Sequence, residues 1–368
     1  MKRFIYLILT VLLAVGCTTR PSERWSEADA AGYYAETGWV SGCNYIPGNA
    51  INQLEMWQAA TFDLQTIDRE LGWAEDLGFN CMRVFLHHLL WEQDRDGFIE
   101  RIDSYLDCAD RHGIMTMFVF LDDCWNETAA LGEQPAPVRG RHNSGWLKDP
   151  GALYYGLAGS GADYAEGKDK VEAVLKAYIQ DIMTEFKDDD RIFAWDLYNE
   201  PGGGQDPDRY WQRSFPLLKK VFGWAREVSP SQPITAGIWS PALSEMNHWQ
   251  ILNSDIITYH TYEGPESHAH MVDTLKKYNR PMVCTEYMAR TQNSTFQNTM
   301  PMLRENNVGA INWGFVAGKT NTIFSWETIN APMDADEPPL WFHDILRKDG
   351  TPYMQEEVDV IRTINSTR

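Results

Sequence analysis

Short apolar runs recur along the chain, and between them the apolar positions return every third or fourth residue. Eight runs read as strands, near residues 39–45, 79–86, 114–121, 191–198, 233–239, 255–261, 281–287 and 308–315. Runs such as Met117-Phe118-Val119-Phe120-Leu121 and Ile192-Phe193-Ala194-Trp195 are apolar throughout, as expected when helices cover a parallel sheet. The helical spacing is clearest over 64–77, where Leu64, Ile67, Leu71, Ala74 and Leu77 precede Gly78. It repeats over 99–112 before Gly113 and over 171–186, and is weaker near 268–279 and 294–306. Eight strand–helix units without an internal linker predict one α/β domain, a (β/α)8 TIM barrel, over residues 36–368. A doubly wound sheet is the structural alternative, but the chain has no early Gly-rich phosphate turn.

Two connections are long. Nearly fifty residues rich in Gly, Pro, Asn and Trp follow the third strand, at 122–168, and 319–345 follow the eighth, carrying Trp326 and Trp341. Connections of that length in a compact domain are usually functional, and in a barrel both lie on the face where strands end. Together they are expected to wall off one end of a cleft.

The N-terminus follows a different pattern. Lys2 and Arg3 precede an apolar run from Phe4 to Gly16, too short to span a bilayer, which ends in Ala14-Val15-Gly16-Cys17. This resembles a bacterial lipoprotein signal over 1–16, cleaved before a lipidated Cys17, with 17–35 as a tether. Ordinary secretory cleavage nearby is the alternative. The expected location is the cell envelope, with the membrane as partner through the lipid. Five further cysteines remain, an odd number, and no C-x-x-C occurs. Cys43, Cys81 and Cys284 fall in strand-like runs and read as small buried hydrophobes.

Composition narrows the partners. A formal charge of −20 repels phosphate backbones and anionic lipid headgroups, so nucleic acid is not expected, whereas a neutral sugar is compatible. Fifteen tryptophans supply both core and flat faces on which sugars stack.

Barrel chemistry is carried by residues where strands end. The fourth strand closes in Tyr198-Asn199-Glu200-Pro201, followed by three glycines, and the seventh in Val283-Cys284-Thr285-Glu286. Two carboxylates at one barrel mouth, about 5–5.5 Å apart, suit cleavage of a glycosidic bond with retention. One must stay protonated near neutral pH, and burial beside Trp and another negative charge raises its pKa; the other must stay ionised.

With that pair, the sequence resembles the clan of retaining glycosidases with catalytic Glu on strands four and seven, and within it the cellulase-like glycoside hydrolase family 5. The resemblance covers Trp39 to about Phe315. It implies Glu200 as acid/base and Glu286 as nucleophile. Arg83 matches the clan's Arg beside the nucleophile, and Asn199 the residue that binds the 2-hydroxyl. His260 and Tyr262 match a His-x-Tyr pair, and Trp313 the floor under the cleaved sugar. An oligosaccharide or polysaccharide substrate and no cofactor are implied. The family commonly carries a His where the third strand ends, but here that position reads Asp122-Asp123-Cys124-Trp125, so cellulase specificity is not carried over. His87, His88, Asp122, Asp123 and Trp125 are the candidate hydroxyl contacts on that side. The same His–Asp set admits a metal, but adjacent histidines on a strand point to opposite faces and make poor co-ligands, so none is expected. A carbohydrate-binding barrel without activity and a transglycosylase are the competing readings.

Overall fold

A computed structural model describes residues 23–155, 162–203 and 207–367. The signal 1–16 and Cys17 lie outside the described residues. Eight strands run in chain order: β1 (Ser41–Asn44), β2 (Cys81–Phe85), β3 (Met115–Asp122), β4 (Ile192–Asn199), β5 (Ile234–Thr235), β6 (Ile257–His260), β7 (Met282–Glu286) and β8 (Gly309–Asn312). All pair in parallel, in the order β5-β4-β3-β2-β1-β8-β7-β6. A parallel bridge between Ile238, just past β5, and Tyr259 of β6 closes the ring. The architecture is the expected (β/α)8 barrel.

Each predicted strand is present, most of them shorter than the apolar run, and one much shorter. The run at 233–239 keeps only Ile234–Thr235 in the sheet. Gly42 explains the tight seam between β1 and β2. A Cβ there would stand 1.6 Å from the Cys81 carbonyl oxygen, so only glycine fits. Cys43, Cys81, Cys108, Cys124 and Cys284 are all buried and none forms a disulfide among the described residues.

The tether ends earlier than expected. Within 17–35, residues from Glu27 begin a helix, α1 (Glu27–Thr37), capped by the Ser26 side chain. Arg24 donates to the carbonyls of Ile251 and Ser254, the Trp25 amide to Asp255, and the Tyr33 hydroxyl to the Phe193 carbonyl. Ala30 and Tyr34 are buried, and Tyr34 packs on Val40, Met117, Phe193 and Val283. The helix thus seals the barrel end opposite the catalytic face. Its Ala- and Gly-rich sequence hides this, because Ala30 and Tyr34, with the partly buried Tyr33, carry the whole docked face.

Three helices required by eight strand–helix units but not located by the periodicity, Pro207–Val228, Ser244–Asn253 and Gln355–Asn365, follow β4, β5 and β8. Pro216, a residue that disfavours a helix interior, lies inside the first. Only Val358, Ile361, Glu357 and Asn365 of the last are buried. The helix after the long third connection starts at Ala162 rather than near 169. No helix among the described residues is long and apolar enough to cross a membrane.

Candidate active site

Glu200 and Glu286 meet at the mouth of the barrel. Glu286 is the last residue of β7, and Glu200 stands one residue past β4. Its φ of 44° lies in the left-handed region, where a long side chain is held only at a cost of order 1–3 kcal/mol. Asp123 fixes this turn. Its buried carboxylate accepts from the Gly202 amide (2.7 Å), the Ser214 hydroxyl (2.6 Å) and the Tyr198 hydroxyl (2.9 Å). The Gly203 amide returns to the Glu200 carbonyl at 2.9 Å.

An oxygen of each carboxylate and a nitrogen of His260 lie within 4.8 Å of one another, the close spacing that suits retention. Their surroundings differ. Glu286 accepts from Arg83 Nη1 at 2.9 Å and from the Tyr262 hydroxyl at 2.7 Å. Among the described residues, no Arg or Lys contacts Glu200. It meets the Cys124 thiol at 3.2 Å and His260 Nδ1 at 2.9 Å.

Arg83 is the hub. It is fully buried and also donates to Asp196 at 2.8 and 3.0 Å, to Asn44 at 2.7 Å and to Asn199 at 2.7 Å. Asn199 in turn donates to Asp122 at 2.9 Å, and Asp122 also accepts from the Trp146 indole at 2.7 Å. Burial raises the pKa of both carboxyls. At Glu286, His260, Arg83 and Tyr262 oppose that rise; at Glu200 only the Cys124 thiol and Arg83 do. With two strong donors fixed on Glu286, a single proton shared by the pair belongs on Glu200. Burial pushes His260 down to about 4, so it stays neutral at pH 7.

The expected contacts divide. Asn199, His260, Tyr262, Trp313 and Trp125 line or edge a cavity of about 470 Å³ above the carboxylates, within the size range of small-ligand sites. Asp122 and Asp123 do not line it; they hold Asn199 and the Glu200 turn in place. His87 and His88 lie away from it, buried on Asp149, with His88 Nδ1 at 2.5 Å from that carboxylate. Their rings stack 5.0 Å apart. The opposite-face argument fails here, because β2 stops at Phe85 and His88 begins a helix. Sequence reasoning missed Cys124, His142, Asn143, Trp146, Trp239 and Trp326, all lining the cavity. Only the Trp content of the long loops pointed to them.

Comparison with known proteins decides the family. The model described as cellulase (glycosyl hydrolase family 5) matches residues 73–319, more than half of the chain. The chain belongs to glycosyl hydrolase family 5. It therefore has the fold of that family. It is 23% identical over 142 residues to mannan endo-1,4-beta-mannosidase F of Aspergillus clavatus, covering 38% of this chain and 26% of that protein. A probable enzyme of the same name from Aspergillus oryzae is 25% identical over 39% of this chain and 26% of its own length. The chain thus spans about a quarter of the curated relatives it matches. Among solved structures, a GH5_18 protein from Streptomyces cattleya in complex with Manb1-4GlcNAc superposes with a TM-score of 0.57 at 15% identity, covering 90% of this chain and 80% of that one. The endo-beta-1,4-mannanase from Thermotoga petrophila gives 0.57 at 15% identity, over 91% and 77%. These likenesses show the fold.

The contact between Cys124 and Glu200 has a measurable consequence. The thiol favours the ionised form of Glu200. Cys124→Ala removes that donor while keeping the site apolar, so the Glu200 pKa rises further. The carboxyl stays protonated to higher pH, and the basic limb of kcat/KM is expected to move to higher pH. An unmoved limb would separate Cys124 from the titration.

Proposed function

We propose that this family 5 glycoside hydrolase is a retaining β-glycosidase in which Glu286 is the nucleophile and Glu200 the acid/base. One observation carries the assignment: Arg83 and Tyr262 both donate to Glu286, whereas Glu200 faces a thiol and a neutral imidazole. A carboxylate held ionised by a buried guanidinium is fit to attack the anomeric carbon. A buried carboxyl without a cation is fit to deliver a proton to the leaving oxygen and to take one from water in the second step. Asn199, fixed between Arg83 and Asp122, is set to meet the 2-hydroxyl. Trp313, half-buried against Phe85 and Trp146, offers its ring beneath the sugar that is cleaved. The charge that develops on the sugar ring is met by the carboxylates.

For substrate we propose β-mannosides, from the likeness to proteins named mannan endo-1,4-beta-mannosidase and mannanase. The test is turnover of a panel of 4-nitrophenyl β-mannoside, β-glucoside, β-galactoside and β-xyloside. Faster hydrolysis of the mannoside supports the substrate, preference for another sugar replaces it, and no turnover of any of them or of the corresponding 4-nitrophenyl biosides overturns the activity.

We also propose that the chain is lipid-anchored in the bacterial envelope through Cys17. Produced in a Gram-negative host, it is expected in the membrane fraction, and Cys17→Ala in the soluble fraction or unprocessed. Soluble wild-type protein with no lipid mass at its N-terminus would refute the anchor.

A further inference from the structure

The mouth of the barrel is closed on one side and open on the other. The line from Glu200 on β4 to Glu286 on β7 divides it into a half served by β5 and β6 and a half served by β8, β1, β2 and β3. Trp313, past the end of β8, places the cleaved sugar on the second half, and the leaving group lies toward Trp239, Pro241 and Met271 on the first.

On the second half, three connections lock together. The loop after β3 is tied to the segment after β1, where Asn52 donates to the Gly145 carbonyl (3.0 Å) and Gln53 to that of Leu147 (2.9 Å). It is also tied to the insertion after β8, by three bonds close to the cavity among others. The His142 amide donates to the Thr328 hydroxyl at 2.9 Å, the His142 ring to the Phe324 carbonyl at 2.7 Å, and the Asn143 amide to the Thr320 carbonyl at 2.7 Å. Behind Trp146 and Trp313 the remaining space is only about 20 Å³, enough for a water and no sugar.

Asn143 stands in this wall. It lines the cavity and is 2% exposed, yet among the described residues neither its side-chain oxygen nor its side-chain nitrogen has a hydrogen-bond partner. A buried amide left so is destabilising, and the ligand that would satisfy both ends is one carrying neighbouring hydroxyl groups.

We infer that this enzyme removes single sugars from non-reducing ends, and that Asn143 recognises the hydroxyls of the terminal sugar remote from its anomeric carbon. This rests on the Glu200–Glu286 reading above and adds to it the mode of attack. The nucleophile and Trp313 hold the cleaved ring, its non-reducing end meets the wall, and no second sugar fits beyond it. The open half leaves the leaving group free to vary.

The test uses 4-nitrophenyl β-mannobioside and 4-nitrophenyl β-cellobioside, with first products read by mass. The expected first products are a monosaccharide and the 4-nitrophenyl monoglycoside. Release of nitrophenol with an intact disaccharide overturns the inference while leaving the hydrolase reading standing. Failure to cleave these and the monoglycosides alike brings down the hydrolase reading itself. Asn143 has a φ of 46°, so Asn143→Gly keeps the backbone relaxed. That variant is expected to lose roughly 10–100-fold in kcat/KM on the 4-nitrophenyl monoglycoside, the loss of one or two buried hydrogen bonds to the sugar, with a Tm no lower than that of the wild type. A change under about threefold would remove Asn143 from the contact.

Discussion

Glu286→Ala is expected to be nearly dead on every glycoside, with a loss on the order of 10⁵–10⁶-fold, as when other covalent nucleophiles are deleted. Glu200→Ala is expected to behave differently. It removes proton transfer alone, which contributes roughly 10²–10⁴-fold and matters most for poor leaving groups. An activated aryl glycoside leaves without a proton, so the first step survives and gives a burst of nitrophenol. The second step is then slow because no base activates water, and glycosyl-enzyme accumulates on Glu286. A natural disaccharide shows almost no reaction with the same variant. Azide, small enough to enter the space vacated by Glu200, speeds the second step and yields a β-glycosyl azide. Burst and azide product in the Glu286 variant instead would reverse the two roles.

Arg83→Met should lower both stability and activity. The guanidinium is fully buried and faces two carboxylates, Asp196 and Glu286. Removing one partner from such a network leaves uncompensated buried charge, at about 3–5 kcal/mol, which denaturant unfolding would read as a lower midpoint. The catalytic effect has a sign. Arg83 lowers the Glu286 pKa against the rise caused by burial. Without it the pKa rises, less of the carboxylate is ionised at pH 7, and the acidic limb of kcat/KM moves to higher pH. Part of the lost rate then returns as pH is raised. Arg83→Lys keeps a charge but not the planar fork that reaches Asn44, Glu286, Asn199 and Asp196 together, so it should fall between. An acidic limb that stays in place in the Met variant would show that Arg83 does not set the ionisation of Glu286.

The barrel was legible because its strands are buried on both faces, which writes them into the sequence as continuous apolar runs; all eight are present near their expected positions. Glu200 and Glu286 were legible for a related reason, as each interrupts the apolar pattern where a strand stops. Side chains in the loops follow no period. Asp122, Asp123, His87 and His88 looked like sugar contacts by residue type, yet burial turned them into supports: Asp123 for the Glu200 turn, Asp122 for Asn199, and the histidines for Asp149. Asn143 and Cys124 reach the cavity only because the connection after β3 folds back over the mouth and bonds to Thr320, Phe324 and Thr328, some 180 residues later. No local pattern encodes such a contact. Helix α1 escaped for the opposite reason: two tyrosines and an alanine suffice to dock it.

The most direct test of the shared mechanism is the anomeric configuration of the first product released by wild-type enzyme. Hydrolysis of an aryl β-glycoside, followed by proton NMR within the first minutes before mutarotation, should show the β-anomer appearing first and the α-anomer growing in later. Initial appearance of the α-anomer would mean a single inverting displacement, and the double displacement through Glu286 would be wrong.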